Sequence, residues 1–108
     1  WWQWMGREST LMLPPAAGPA RLTLEFGVMT QNGLPRIELW MNGALVDRFV
    51  AASGDVSRSW IVSSRSDRWN ELVVKVDRTV NLARQGLGAD PRDLALQLRR
   101  YSWSPVRQ

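Results

Sequence analysis

Residues 36–50 read RIELWMNGALVDRFV, and this stretch decides the fold. Ile37, Leu39 and Met41 fall on one face of an extended chain, with Arg36, Glu38, Trp40 and Asn42 on the other. Strand side chains alternate with period two, so residues 36–42 read as a half-buried strand. Asn42-Gly43 follows directly. An Asn-Gly pair between two apolar runs is a strong hairpin signal, because both residues tolerate positive φ. The return strand covers residues 44–50. Its alternation blurs, since Leu45 and Phe49 oppose Val46 and Val50, which points to cover on both faces.

The same period extends outward in both directions. Residues 21–28 place Leu22, Leu24, Phe26 and Val28 on one face, after the breakers Pro14-Pro15 and Gly18-Pro19. Leu11 and Leu13 mark an earlier strand behind a Gly6 turn, and Gln31-Asn32-Gly33 is another turn. Downstream, Ser53-Gly54-Asp55 turns into a strand over 57–62 that carries Trp60. A polar loop over 63–68 and Trp69-Asn70 lead into residues 71–77, with Leu72, Val74 and Val76 inward. Residues 81–88 fit one helical turn ending at Gly86 or Gly88, and Asp90-Pro91 is a turn. The last strand spans 93–103, with Leu94, Leu96 and Leu98 inward. Strict alternation puts Tyr101 and Trp103 on the other face, and a bulge near Arg99-Arg100 would return them. The sum is seven or eight short strands without internal repeats. The pattern predicts an all-β chain, an antiparallel two-layer β-sandwich with jelly-roll connections, as one domain over 1–108 excised from a larger protein.

Composition narrows the chemistry. The 108 residues include seven Trp, one Tyr, two Phe, no His and no Cys. Without His or Cys the chain lacks the commonest general base, the commonest metal ligand and the thiol nucleophile. A Ser–Lys pair would have to use Lys75, on the polar face of its strand. No acid stands in a motif suited to glycoside hydrolysis, and Glu38 and Glu25 are expected to pair with Arg36 and Arg21. The chain is therefore read as a non-enzyme. Zinc lacks ligands. No cofactor is expected; a structural calcium ion on Asp90, Asp93, Asp55 or Asp67 is the remaining metal reading, against turn and cap duty for the same residues. No run approaches the ~20 apolar residues of a membrane span. The net charge is +4, and all cations but Lys75 are Arg. The Arg residues are dispersed, which reads as a solvated surface, and the absence of cysteine leaves the compartment open.

Seven indoles need a core or a ligand. Trp40 stands on a polar face with Arg36, Glu38 and Asn42. One reading is a platform on which the C–H face of a sugar stacks while these neighbours bond its hydroxyls. The other is that a loop or the N-terminal segment covers the ring. Trp60, with Arg58 on its face, carries the same ambiguity between ligand and core. Trp69 reads as a plug before a buried strand, and Trp103 as core. Trp1, Trp2 and Trp4 are either an added strand or an exposed segment. Single-stranded nucleic acid is disfavoured as a partner, because aromatic and basic residues do not alternate along adjacent strands.

The order of motifs has a family likeness. A Trp-rich opening with Gly6-Arg7-Glu8 and Leu11-Met12-Leu13-Pro14 leads to Leu22-Thr23-Leu24. Met41-Asn42-Gly43, Trp69-Asn70-Glu71-Leu72 and Asp90-Pro91-Arg92-Asp93-Leu94 follow. This resembles the small carbohydrate-binding-module-like β-sandwich domains that accompany bacterial polysaccharide enzymes, some glycosyltransferases among them. Ala95 stands where those domains usually have Gly. The resemblance implies a glycan or polysaccharide partner and a parent catalytic domain in the same polypeptide. It also leaves open a purely structural or oligomerisation module of such an enzyme. Its motifs are turn and core signals, so the candidate ligand residues rest on facing alone.

Overall fold

A computed structural model of the chain describes residues 3–81, 83–86, 88 and 92–106. Trp1, Trp2 and the Asp90-Pro91 turn lie outside the described residues. The strands are β1 (Gln3–Met5), β2 (Glu8–Leu13), β3 (Ala20–Val28), β4 (Arg36–Met41), β5 (Ala44–Val50), β6 (Asp55–Val62), β7 (Asn70–Val76), β8 (Val80–Asn81), β9 (Asp93–Leu94) and β10 (Leu96–Pro105). Two four-stranded sheets, β1-β10-β3-β6 and β2-β7-β4-β5, pack face to face. The short strand β8 is additional to the seven or eight strands expected, and it pairs with β9, the first part of the expected last strand.

The pairing is nested. β4 pairs with β5, β3 with β6, β2 with β7 and β1 with β10, all antiparallel. Each pair encloses the one before it in sequence. The chain is one antiparallel ribbon doubled back at Asn42-Gly43 and wrapped into two layers, which is a jelly roll. Asn42 has φ 51° and Gly43 φ 84°. Both central residues are left-handed, as the twist of a two-residue hairpin requires.

Alternation then fills the core. Leu13, Leu22, Leu24, Ile37, Leu39, Leu72 and Leu96 are all buried between the sheets. Two bulges adjust the facing. In β10 the register shifts between Leu98 and Arg100, so Tyr101 lies opposite Leu24 and Trp103 opposite Leu22. Trp103 thereby packs on the core, and its indole N–H donates to the Pro14 carbonyl at 2.9 Å. In β5 the register shifts at Val46, which explains the blurred alternation there.

One expectation needs correction. The last strand is split at Ala95, whose N–H leaves the ladder for the Met5 carbonyl at 2.8 Å and whose carbonyl accepts from Met29 at 3.0 Å. Residues 83–86 form a single hydrogen-bonded turn, the Gln85 N–H donating to the Asn81 carbonyl at 3.1 Å. The Asn81 side chain accepts from the Arg84 N–H at 3.0 Å, and Gly86, at φ 71°, ends the turn.

Asn70 ties the hairpin to the loops at one end of the sandwich. It is fully buried, and every polar capacity is used. Oδ1 accepts from the Asn42 side chain at 3.0 Å and the Arg65 N–H at 2.7 Å. Nδ2 donates to the carbonyls of Pro14 at 3.2 Å and Arg65 at 3.3 Å. Asn70→Asp would set a carboxylate against those two carbonyls. We expect it to destabilise the domain by about 3 kcal/mol or more in chemical denaturation. Gly43→Ala meets no steric obstacle, since nothing lies within 4 Å of an added Cβ. Its expected loss of about 1–2 kcal/mol isolates the backbone requirement of the turn. An unchanged midpoint would remove that requirement.

Candidate binding surface

The sheet β2-β7-β4-β5 turns its inner residues to the core and leaves an ordered outer face. Cross-strand register lays out two rows. Glu8, Lys75, Glu38 and Arg48 form one, with charge alternating in sign across four strands. Thr10, Val73, Trp40 and Leu45 form the next, polar at one end and apolar toward the other. Direct cross-strand neighbours are the closest contacts a sheet offers. Opposite charges therefore screen one another along the first row while the second presents apolar surface. Leu45 is 44% exposed, and Met12, on the same face, 48%.

Trp40 is half-buried, and its orientation is held from two sides. Its indole N–H donates to Glu38 Oε1 at 3.1 Å, and Arg48 Nε binds the other oxygen, Oε2, at 2.7 Å. Lys75 Nζ stands 5.1 Å from the ring centroid, within cation–π range. The bonds from Trp40 and Arg48 hold the Glu38 carboxyl below the ordinary glutamate range, against a smaller opposing effect of desolvation. The carboxylate stays charged and keeps the indole N–H occupied. Glu38 thus pairs with Arg48, and Glu25 with Arg100 at 3.4 Å, in place of the expected Arg36 and Arg21. The physical reason is register: each partner sits directly opposite, whereas Arg36 and Arg21 lie two and four residues along the same strands and are farther away.

The six candidate residues do not form one cluster. Trp40, Glu38 and Arg36 share the outer face. Arg36 also anchors its strand, its backbone N–H donating to Asp77 Oδ1 at 2.7 Å. Asn42 belongs to the turn: its Oδ1 accepts from the Glu71 N–H at 2.8 Å while its amide donates to Asn70. Trp60 and Arg58 point inward from β6 and close the flank of the sandwich against β5. Trp60 packs on the core and donates to Asp47 Oδ2 at 2.8 Å. Arg58 lies over the Phe49 ring at 3.9 Å and reaches the same carboxylate at 3.4 Å. Both side chains are thus tied to β5 at the flank, where Arg58 remains 46% exposed, and the sheet separates them from Trp40.

Three further residues matter here. Lys75 and Arg48 complete the outer face but were not among the candidate ligand residues; Lys75 lay on a polar strand face and Arg48 on a strand of blurred alternation, and only register shows that they converge on Glu38. Trp69 is 55% exposed and does not plug the sandwich end, because it precedes β7 in the loop and its neighbour Asn70 takes the buried position. Among the acids considered for calcium, Asp55 pairs with Arg99 at 2.7 Å and Asp93 accepts from Asn81 at 3.2 Å. Among the described residues no three acids converge, and no helix is long and apolar enough to cross a membrane.

No protein-family model and no curated protein matches the chain. Solved structures do share its fold. One is the C-terminal domain of EclA, a sugar-binding protein, with TM-score 0.59 and 13% identity, covering 92% of this chain and 67% of that one. Another is the acetyl xylan esterase Est2A from the rumen bacterium Butyrivibrio proteoclasticus, with TM-score 0.54 and 12% identity, covering 92% of this chain and 25% of the esterase. At such identities the likeness is one of fold. The jelly-roll sandwich is a scaffold found both in a sugar-binding domain and within a larger carbohydrate-related enzyme.

Proposed function

We propose that the domain binds carbohydrate without transforming it, through the outer face of β2-β7-β4-β5 with Trp40 as its shelf. The observation that carries this reading is the anchored indole. Trp40 faces outward from a rigid sheet, its N–H held by a carboxylate that is itself fixed by Arg48. A preoriented aromatic ring loses little entropy on stacking. Glu38, Arg48, Lys75 and Thr10 lie around it as acceptors and donors for sugar hydroxyls, with Arg36 at the edge of the face. The sugar-binding structural neighbour supports the ligand class. The esterase neighbour, of which this fold is a quarter, supports a place beside a catalytic domain. Affinity is modest, because hydroxyl desolvation offsets much of the stacking gain.

Trp40→Ala removes the shelf and leaves the core intact. Retention of the domain on insoluble polysaccharide should fall by roughly tenfold or more, with the melting temperature little changed. Wild-type retention by that variant would sink the shelf. The anchor also sets a pH signature. A carboxyl with a lowered folded-state pKa contributes while ionised, and its contribution is lost as pH falls through that lowered value. Glycan retention and Trp40 emission should therefore persist through the pH range where an ordinary glutamate protonates, and change only below it. Glu38→Gln should abolish this low-pH transition. A transition at the ordinary glutamate midpoint would show that Glu38 does not hold the ring.

A further inference from the structure

The opposite outer face, on β1-β10-β3-β6, carries a second arrangement that the fold alone does not explain. Register places Trp4, Gln97, Gly27 and Asp55 side by side across all four strands. Arg99, the extra residue of the β10 bulge, lies over this row. Its guanidinium occupies the space a side chain would take at Gly27: an added Cβ there would stand 2.6 Å from Nη2 and 3.0 Å from Cζ. Asp55 Oδ1 holds Nη1 at 2.7 Å, and Gln97 Oε1 accepts from Nε at 3.3 Å. A groove of about 380 Å³ opens beside it, lined by Glu25, Phe26, Asp55, Val56, Ser57 and Arg99.

Two local sacrifices create this seat. Glycine inside a strand weakens it, and a bulge leaves a residue unpaired. An ion pair whose side chains are 44% and 81% exposed returns little stability in exchange. Glycine and bulge together do achieve one thing. They lower a planar, preoriented donor onto the sheet at the same level as an exposed indole. Trp4 is 37% exposed at one end of the row, and Asp55 closes the other, three strand spacings or about 14 Å away.

The charges along the row are already balanced. Arg99 is matched by Asp55, and in the next row Arg100 by Glu25 at 3.4 Å. What remains is a stacking ring followed by hydroxyl, amide and guanidinium groups with no net charge. From this we infer that the face binds a neutral oligosaccharide of more than one sugar unit, stacked on Trp4 and hydrogen-bonded by Arg99, Gln97, Asp55 and Ser57. This rests on the carbohydrate reading above, and it makes the domain bivalent, with one glycan row on each outer face. Two rows on one rigid body raise retention on a polymer well beyond either alone.

Isothermal titration with xylo-, cello- and manno-hexaose tests this directly. The wild-type domain should bind two oligosaccharides per chain, insensitive to added salt. Arg99→Gln and Trp4→Ala should each leave one, the site removed by Trp40→Ala, and Arg99→Gln should melt with the wild type. The Arg99→Gln, Trp40→Ala double variant should bind none. A wild type with one site, lost in Trp40→Ala and untouched in Arg99→Gln, overturns this row and leaves the first shelf standing. One site lost in Arg99→Gln alone keeps the row and removes the Trp40 shelf. No binding by the wild type overturns both. A steep salt dependence overturns the neutral ligand.

Discussion

The whole topology turns on two adjacent residues that must be left-handed. Asn42 and Gly43 reverse the ribbon, and every other major strand pair encloses that reversal. The twist of the β4–β5 hairpin fixes how the ribbon coils, and the coil decides which strands face one another across the core. The turn is also locked from below. The Asn42 side chain joins Asn70 and the Glu71 backbone, so the tip of the hairpin is stitched to β7. Asn70 then passes the constraint to the 63–69 loop and to Pro14. A buried carboxamide with all its bonds made is directional where apolar packing is not. It gives this end of the sandwich one geometry.

The two layers divide the labour. Their inner faces are close to uniformly aliphatic, with Leu, Ile and Val from six strands. Most of the indoles described here sit outside that layer of packing, at its margins. Trp60 and Trp103 seal the flank and the end, each spending its N–H on a structural acceptor. Trp40, Trp4 and Trp69 face water to varying degrees. The abundance of Trp therefore has two physical origins, closure of the sandwich rim and presentation of aromatic surface.

Strand positions were legible because burial in a sandwich imposes period two on nearly every strand. Even the Arg99 bulge could be inferred, since Tyr101 and Trp103 fell out of phase with Leu94, Leu96 and Leu98. The break at Ala95 was not legible; it answers to Met5 and Met29, remote in sequence. The candidate surface was legible only in part. Alternation placed Trp40, Glu38 and Arg36 on one face, but it cannot say which strands lie alongside. Lys75 and Arg48 entered only with register. Asn42 was read correctly as a turn residue, yet its side chain's commitment to Asn70 required the fold. Trp60 and Arg58 share a face with each other, but that face points in.

Nested pairing also bears on how the chain reaches this state. β1 and β10 close the ribbon from opposite ends of the domain, so their contact encloses almost all of the intervening chain. Closing so large a loop is entropically unfavourable unless the inner pairs have already shortened it. Assembly by zippering from the hairpin outward avoids that penalty, at the expense of speed, since few of the decisive contacts are local. Until β10 docks, β3 lacks one of its two neighbours and presents a bare row of amides. The interval before the outermost strands arrive is the period when such a chain is most exposed to pairing with the wrong partner.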